Sequence, residues 1–210
     1  MKLEADLLNI SIFIAASYLF GSVQFGYLIS KYIYKIDITK EGSGSTGGTN
    51  VYRVVGMLPG ITSFIFDFLK GFLSSFLARE IFRENALMIA IFAGLAAVIG
   101  HNWPVFFKFK GGKGVASSVG VLFGCFPMLG IAAMFVFGGV ALISRYISVA
   151  SIAASASVVI LAFAFRMDPE AMIYSSIATL FIILRHSSNI KRLIKGTENK
   201  IILGRNRTNK

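Results

Sequence analysis

The chain has 210 residues, of which 55% are hydrophobic and 15% charged, well below the ~25% charged content of soluble domains. Its apolar runs reach the ~20 residues that a bilayer-spanning helix needs, which excludes a soluble protein and implies an all-α polytopic membrane protein forming one domain over 1–210. The formal charge is +11, from 21 Lys and Arg against 10 Asp and Glu, an excess that in a membrane protein signals topology and anionic lipid first.

No separate basic domain exists to hold nucleic acid, so none is expected as a partner. A single cysteine, Cys125, lies in an apolar run and rules out a disulfide framework or a cysteine-based metal site. His101 and His186 alone cannot complete a three-histidine site. Neither a metal nor a cofactor is expected.

The first apolar run, Leu7 to Tyr32, follows a start in which Lys2 is outnumbered by Glu4 and Asp6. A secretory signal would have a basic start and a shorter apolar core, so this reads as a true first span with its N-terminus outside. Ser22, Gly26 and Ser30 recur every four residues, a small-residue face that lets another helix approach.

A polar connection follows from Lys35 to Val51 and contains GSGSTGGTN at Gly42–Asn50. Gly42, Gly44 and Gly47 have the spacing of a dinucleotide fingerprint, but no strand precedes them and no βαβ unit surrounds them. What remains is a loop dense in hydroxyls and N–H donors, ended by Thr49, Asn50 and Arg53. It is either a plain linker or a ligand-binding loop.

The second span runs from about Gly60, after Pro59, to Arg79 and carries Asp67 and Lys70. At i and i+3 these share a helix face and can pair. Each would cost ~3 kcal/mol alone at a helix centre, so both must face protein or water. The spacing predicts an ion pair locking helices, with a secondary part in positioning loops. The third span, Ala86 to Trp103, ends at His101, Trp103 and Pro104, and Trp103 is expected as a membrane anchor.

The stretch GHNWPVFFKFKGGKGVA, Gly100–Ala116, sets Lys108, Lys110 and Lys113 around Gly111, Gly112 and Gly114. Backbone N–H groups of a glycine-rich turn, with the positive end of the following helix, can converge on an anion, and lysine adds a compact full charge. Lysines alone would fit a basic cytoplasmic loop; three glycines around one lysine at a helix entrance imply a phosphate site at a membrane surface. No P-loop is present, because Gly112-Lys113 lacks the upstream glycine and the following hydroxyl.

Val115 to Ile143 is too long for one comfortable span, and Pro127 divides it into a short fourth helix and a fifth. The sixth span covers about Ser148 to Phe165, with Ser148 at its start available to a ligand. Pro169 opens the seventh, which ends at Leu184. In the tail RHSSNIKRLIKGTENK, a continuing helix would present His186 and Asn189 together.

With seven transmembrane helices, the N-terminus outside and the C-terminus cytoplasmic, one side holds sixteen cations: Lys31, Lys35, Lys40, Arg53, Lys108, Lys110, Lys113, Arg145 and eight from Arg185 to Lys210. The other side holds four, Lys2, Arg79, Arg83 and Arg166. An undivided Val115–Ile143 would reverse the bias, so the positive-inside rule selects seven. The same count gathers the glycine loop, Lys113, Ser148 and His186 on the cytoplasmic face.

Three of these stretches, Gly42–Asn50, Gly100–Ala116 and Arg185–Lys200, resemble the three motifs of the bacterial acyl-phosphate-dependent glycerol-3-phosphate acyltransferases, the PlsY family. DFLKG at Asp67–Gly71 and RYISVAS at Arg145–Ser151 are similar to further segments of that family. The sequence departs from it at Ser45, where asparagine is usual, and at Gly48, where alanine is usual.

The resemblance implies transfer of a fatty acyl group from acyl phosphate to the 1-hydroxyl of glycerol 3-phosphate. The products would be 1-acyl-glycerol 3-phosphate (lysophosphatidate) and phosphate, in a multi-pass protein of the bacterial cell membrane. It also implies that Ser43, Arg53, Lys113, Ser148, His186 and Asn189 bind glycerol 3-phosphate, while Thr49, Asn50, Gly111 and Gly112 shape the acyl-phosphate or oxyanion pocket. Lys113, His186 and Asn189 are the catalytic candidates; His186 is either a base or a phosphate ligand, and Glu198 and Lys200 fix the tail. The residues agree with this chemistry, since cations, amides and hydroxyls stabilise phosphate by positioning and electrostatics. The rival is a membrane phosphate-ester transporter, which should carry charges along a path open to both faces and paired repeats.

Overall fold

The computed structural model describes residues 2–201, so Arg205, Arg207 and Lys210 of the basic tail lie outside the described residues. Within them the chain is all helical, and ten α-helices follow one another. Helix α1, Lys2–Gly21, breaks at Ser22–Gln24 and resumes as α2, Phe25–Leu28, which runs into a π-helical turn, Ile29–Ile33. The expected single helix is therefore interrupted. The cause lies on another helix: the Lys70 ammonium takes the carbonyls of Gly21 and Val23 at 3.1 and 2.8 Å.

Helix α3, Gly48–Val54, forms where a loop is expected to run on to Val51, and α4 covers Met57–Ile81. Pro59 sits in the first turn of α4, where its missing N–H has no helical partner to lose. Then come α5, Ala86–Asn102, a 3-10 turn at Val105–Phe107, and α6, Val115–Cys125. Helix α7, Pro127–Ser144, begins at the proline expected to divide this run, and Phe126 between them is not helical. The chain closes with α8, Ile147–Ala164, α9, Pro169–Arg185, and the short α10, Ser187–Ile194.

Among the described residues, five helical segments are long and apolar enough to cross a membrane: Asp6–Ile33, Met57–Ile81, Ala86–Phe107, Pro127–Ser144 and Ile147–Ala164. Helix α6, with 11 residues, and α9, with 17, are shorter.

Close approach rather than bulky side chains joins several of these helices, as expected where lipid offers no hydrophobic gain from pairing. A Cβ on Gly71 of α4 would collide with the Ser117 carbonyl of α6, and one on Gly120 with the Phe68 carbonyl of α4. Gly21 of α1 meets the Ala97 carbonyl of α5 in the same way. The repeating small face of the first span is buried at Ser22, Gly26 and Ser30, and Gly26 lies against the Thr46 carbonyl of the polar loop as well as against Ser63 of α4.

Beyond these crossings a core of Ile91, Val98, Val121, Leu129 and Tyr174 fills the interior. The Tyr174 hydroxyl donates to the Ser118 carbonyl at 2.8 Å. Phe135 and Ile143 of α7, 78% and 88% exposed, mark a face left for lipid.

Candidate active site

The polar loop owes its shape to Asn50. This side chain accepts from the Ser43 N–H at 2.9 Å and donates to the carbonyls of Glu41, Ser45 and Ile38 at 3.1, 3.0 and 3.3 Å. Gly42 and Gly44 turn the chain around it at φ +60° and +70°, a region where glycine bears no penalty. Thr46 ties the loop to the α1–α2 break by donating to Gln24 Oε1 at 2.6 Å. The loop then feeds α3, whose last turn presents Arg53; its guanidinium reaches the Asn199 carbonyl at 3.3 Å.

Lys113 is delivered by the glycine-rich turn. The Gly112 N–H donates to the His101 carbonyl at 3.0 Å, and the carbonyls of Gly111 and Gly112 accept from Arg185 at 3.0 Å each. Arg185 also covers the Trp103 ring at 5.5 Å, and Phe181 meets that ring edge-on. Trp103 therefore braces the turn from inside the protein, in addition to any contact with lipid. A Cβ on Gly111 would strike the His101 carbonyl, and one on Gly112 the His101 ring. Gly114, at φ +77°, then opens α6.

The tail forms the opposite wall. Lys113 Nζ donates to Asn189 Oδ1 at 2.6 Å, and Asn189 Nδ2 donates to Glu198 Oε1 at 2.7 Å. Ser148 donates to the same carboxylate oxygen at 2.9 Å, and Arg192 holds the other at 2.7 Å. One buried carboxylate thus orients Ser148, Asn189 and, through Asn189, Lys113. Desolvation pushes the Glu198 carboxyl up, but these three donors outweigh it and hold it below its ordinary value. Lys200 lies over the Tyr146 ring at 5.4 Å and the Ile201 N–H reaches the Arg145 carbonyl at 2.8 Å, which pins the tail across the α7–α8 turn.

Burial lowers the Lys113 ammonium to about 8, against the pull of Glu198 and with help from Arg192 and Arg53. Burial and then the Lys113 charge lower the His186 imidazole to about 4. His186 Nδ1 lies 2.8 Å from the Ile182 carbonyl, to which it donates as the neutral ring, leaving Nε2 as the acceptor for a ligand.

These walls enclose a cleft of ≈ 360 Å³, within the range of small-molecule sites. Ser43, Thr49, Asn50, Arg53, Lys113, Ser148, His186 and Asn189 all line it. Gly111 and Gly112 do not; their carbonyls accept from Arg185 and the Gly112 N–H donates to the His101 carbonyl. Asn50 shapes the cleft with a side chain whose polar atoms are spent on its own loop. The cleft continues between Ile61 and Phe64 of α4, Val115 and Val119 of α6, and Met134 and Phe137 of α7, so one end is polar and cationic and the other apolar.

Among the lining residues outside the expected set are Asp67 and His101. The i, i+3 pairing of Asp67 with Lys70 is legible in sequence and is present at 2.9 Å. His101 joins the pair from a distant part of the chain, with Nδ1 at 3.1 Å from Lys70 Nζ, and no local spacing announces that contact.

A family model for glycerol-3-phosphate acyltransferase matches residues 11–196. Among curated relatives, the glycerol-3-phosphate acyltransferase of Thermoanaerobacter pseudethanolicus is 42% identical over 185 residues, covering 88% of this chain and 92% of the relative. That of Halalkalibacterium halodurans is 40% identical over 192 residues, covering 90% and 93%. The crystal structure of PlsY, an integral membrane glycerol 3-phosphate acyltransferase, in its glycerol 3-phosphate form superposes with a TM-score of 0.87 at 37% identity, covering 92% of this chain and 96% of that one. Its lysophosphatidic acid form gives a TM-score of 0.85 over the same shares. The chain therefore belongs to the glycerol-3-phosphate acyltransferase family and is an integral-membrane acyltransferase.

Proposed function

We propose that the chain transfers an acyl group from acyl phosphate to the 1-hydroxyl of glycerol 3-phosphate, the first acylation of phospholipid synthesis. The observation that carries this reading is the two-ended cleft, cationic and hydrogen-bonding at Arg53, Lys113, His186 and Asn189 and apolar between α4, α6 and α7. Such a cleft suits two phosphate-bearing reactants, one of them with a hydrocarbon tail. The relatives with solved structures, in glycerol 3-phosphate and lysophosphatidic acid forms, support the same substrate and product.

In the proposed step the glycerol 3-phosphate hydroxyl oxygen bonds to the acyl carbon as the acyl–phosphate C–O bond breaks. The hydroxyl proton ends on phosphate oxygen or, transiently, on His186 Nε2. Arg53, Lys113, Ser43, Ser148, His186 and Asn189 hold glycerol 3-phosphate, and Lys113 is the principal charge. Thr49 and the Asn50-built loop shape the acyl-phosphate side. Gly111 and Gly112 serve it by placing Lys113. Acyl phosphate is an activated anhydride, so charge neutralisation and alignment suffice without a covalent intermediate.

We place this cleft at the cytoplasmic face of the bacterial inner membrane in a single seven-crossing domain, with the N-terminus outside. Here α6, rising only ~16 Å, and α9 complete the crossings of the five longer segments. The division of cations, sixteen against four, supports that arrangement.

Purified protein given acyl phosphate tests the chemistry. Phosphate release is expected only when glycerol 3-phosphate is present, with lysophosphatidate formed in equal amount. Release without the acceptor, or product formed equally well from a thioester donor, would count against it.

A further inference from the structure

The proposed reaction leaves Asp67, Lys70 and His101 without a part, although their side chains are only 2%, 0% and 4% exposed. Lys70 Nζ lies 2.9 Å from Asp67 Oδ1 and 3.1 Å from His101 Nδ1, and it donates to the main chain at the α1–α2 break. His101 Nδ1 lies 3.4 Å from Asp67 Oδ1. Ionised groups at membrane depth are expensive, and apolar packing would join α4 to α5 without them.

What distinguishes this cluster is its contact with the glycine-rich turn. The His101 carbonyl accepts from the Gly112 N–H at 3.0 Å, and also from Gln24 Nε2 at 3.3 Å. The His101 ring edge at Nε2 fills the space where a Gly112 Cβ would stand. Asp67 and His101 line the cleft, with His101 Nδ1 turned to Lys70 and Asp67 and Nε2 beside Gly112.

We infer that Asp67, Lys70 and His101 are positioning residues that set the place of the Lys113 ammonium, acting through Gly112. The cluster locks the last turn of α5 and the ring of His101, and Gly112 is seated against both. Lys113, the next residue, is thereby aimed at Asn189. This inference rests on the proposed function, in which Lys113 is the charge that carries turnover.

A double-mutant cycle on the full-length purified protein tests it, with labelled glycerol 3-phosphate to follow slow variants. His101→Leu alone is expected to lower kcat/KM on the order of a hundredfold, the scale of a misplacement of about 1 Å. In a Lys113→Met chain, already severely impaired, adding His101→Leu is expected to change kcat/KM by no more than about twofold further. Losses that multiply would overturn the inference and leave the proposed function standing. Full activity in Lys113→Met alone would overturn both.

A second pair decides the matter even where His101→Leu fails to insert. Gly112→Ala is expected to be impaired by collision with the His101 ring, and His101→Asn in the same chain to recover about tenfold, because the shorter amide vacates that space. No recovery would show that the ring does not set the position of Gly112.

Discussion

Lys113 and Lys108 lie five residues apart in one basic stretch, yet their surroundings separate them. Lys113 is half-buried, bonded to Asn189, and flanked by glycines that leave its approach to the cleft open, whereas Lys108 is exposed beside Phe107 and Phe109. A charge-assisted bond contributes ~1.5–3 kcal/mol, and Lys113 would make more than one to phosphate. Lys113→Ala is therefore expected to lower turnover at least about a hundredfold while Lys108→Ala stays near wild type. Equal losses would remove the distinction.

The buried ammonium also predicts a pH dependence. Its pKa is lowered to about 8, so the cation is lost as pH rises through that value, and kcat/KM, which reports the free enzyme, is expected to fall above about pH 8. His186, lowered to about 4, is neutral above that value and cannot place an acidic limb near ~6.5, where an ordinary histidine would. A limb near ~6 would belong to the substrate phosphate and should persist in His186→Asn. That variant keeps hydrogen-bonding capacity and is expected to retain more activity than His186→Ala. Equal failure of the two would instead make His186 an obligatory base.

At the scale of helices, the approach of α4 to α6 depends on Gly71 and Gly120, each seated on the other helix's carbonyl. Gly71→Ala must push the Ser117 carbonyl away, and overpacking of this kind costs about 1–3 kcal/mol. A lowered Tm in detergent checks this, and because Ser117 lies one turn into α6, activity should fall with it. Glycines at interior helix positions and the division at Pro127 are features that residue type announces, and the helices from α4 onward lie close to their sequence-based bounds. The break in α1 and the presence of α3 were not legible. The short polar step Ser22–Gln24 reads as part of one apolar run, and Lys70, which takes the carbonyls of Gly21 and Val23, comes from a helix nearly fifty residues later. Helix α3 begins at Gly48-Thr49, residues that locally read as loop.

For the molecule as a whole, charge asymmetry gathered the separate stretches on one face and the family resemblance joined them into one site of ten residues, eight of which the fold brings to one cleft. His101 escaped that reading because its partners and its effect on Gly112 exist only in three dimensions.

The orientation of the whole rests on charge. In the proposed arrangement sixteen cations fall on the side of the cleft and four on the other, an asymmetry that favours separate crossings by α6 and α7 on either side of Phe126. If α6 merely dipped into the bilayer and returned, an even number of crossings would put Arg145 and the tail opposite the glycine loop. The Lys113–Asn189 bond would then have to span the membrane, whereas it is 2.6 Å long. Reporter fusions are accordingly expected to place the N-terminus outside and the C-terminus in the cytoplasm, with Lys108 accessible to a thiol or amine label from the cytoplasmic side after suitable substitution. Finding both termini on one face would reverse the charge argument and demand another route for the chain between Gly114 and Ile147.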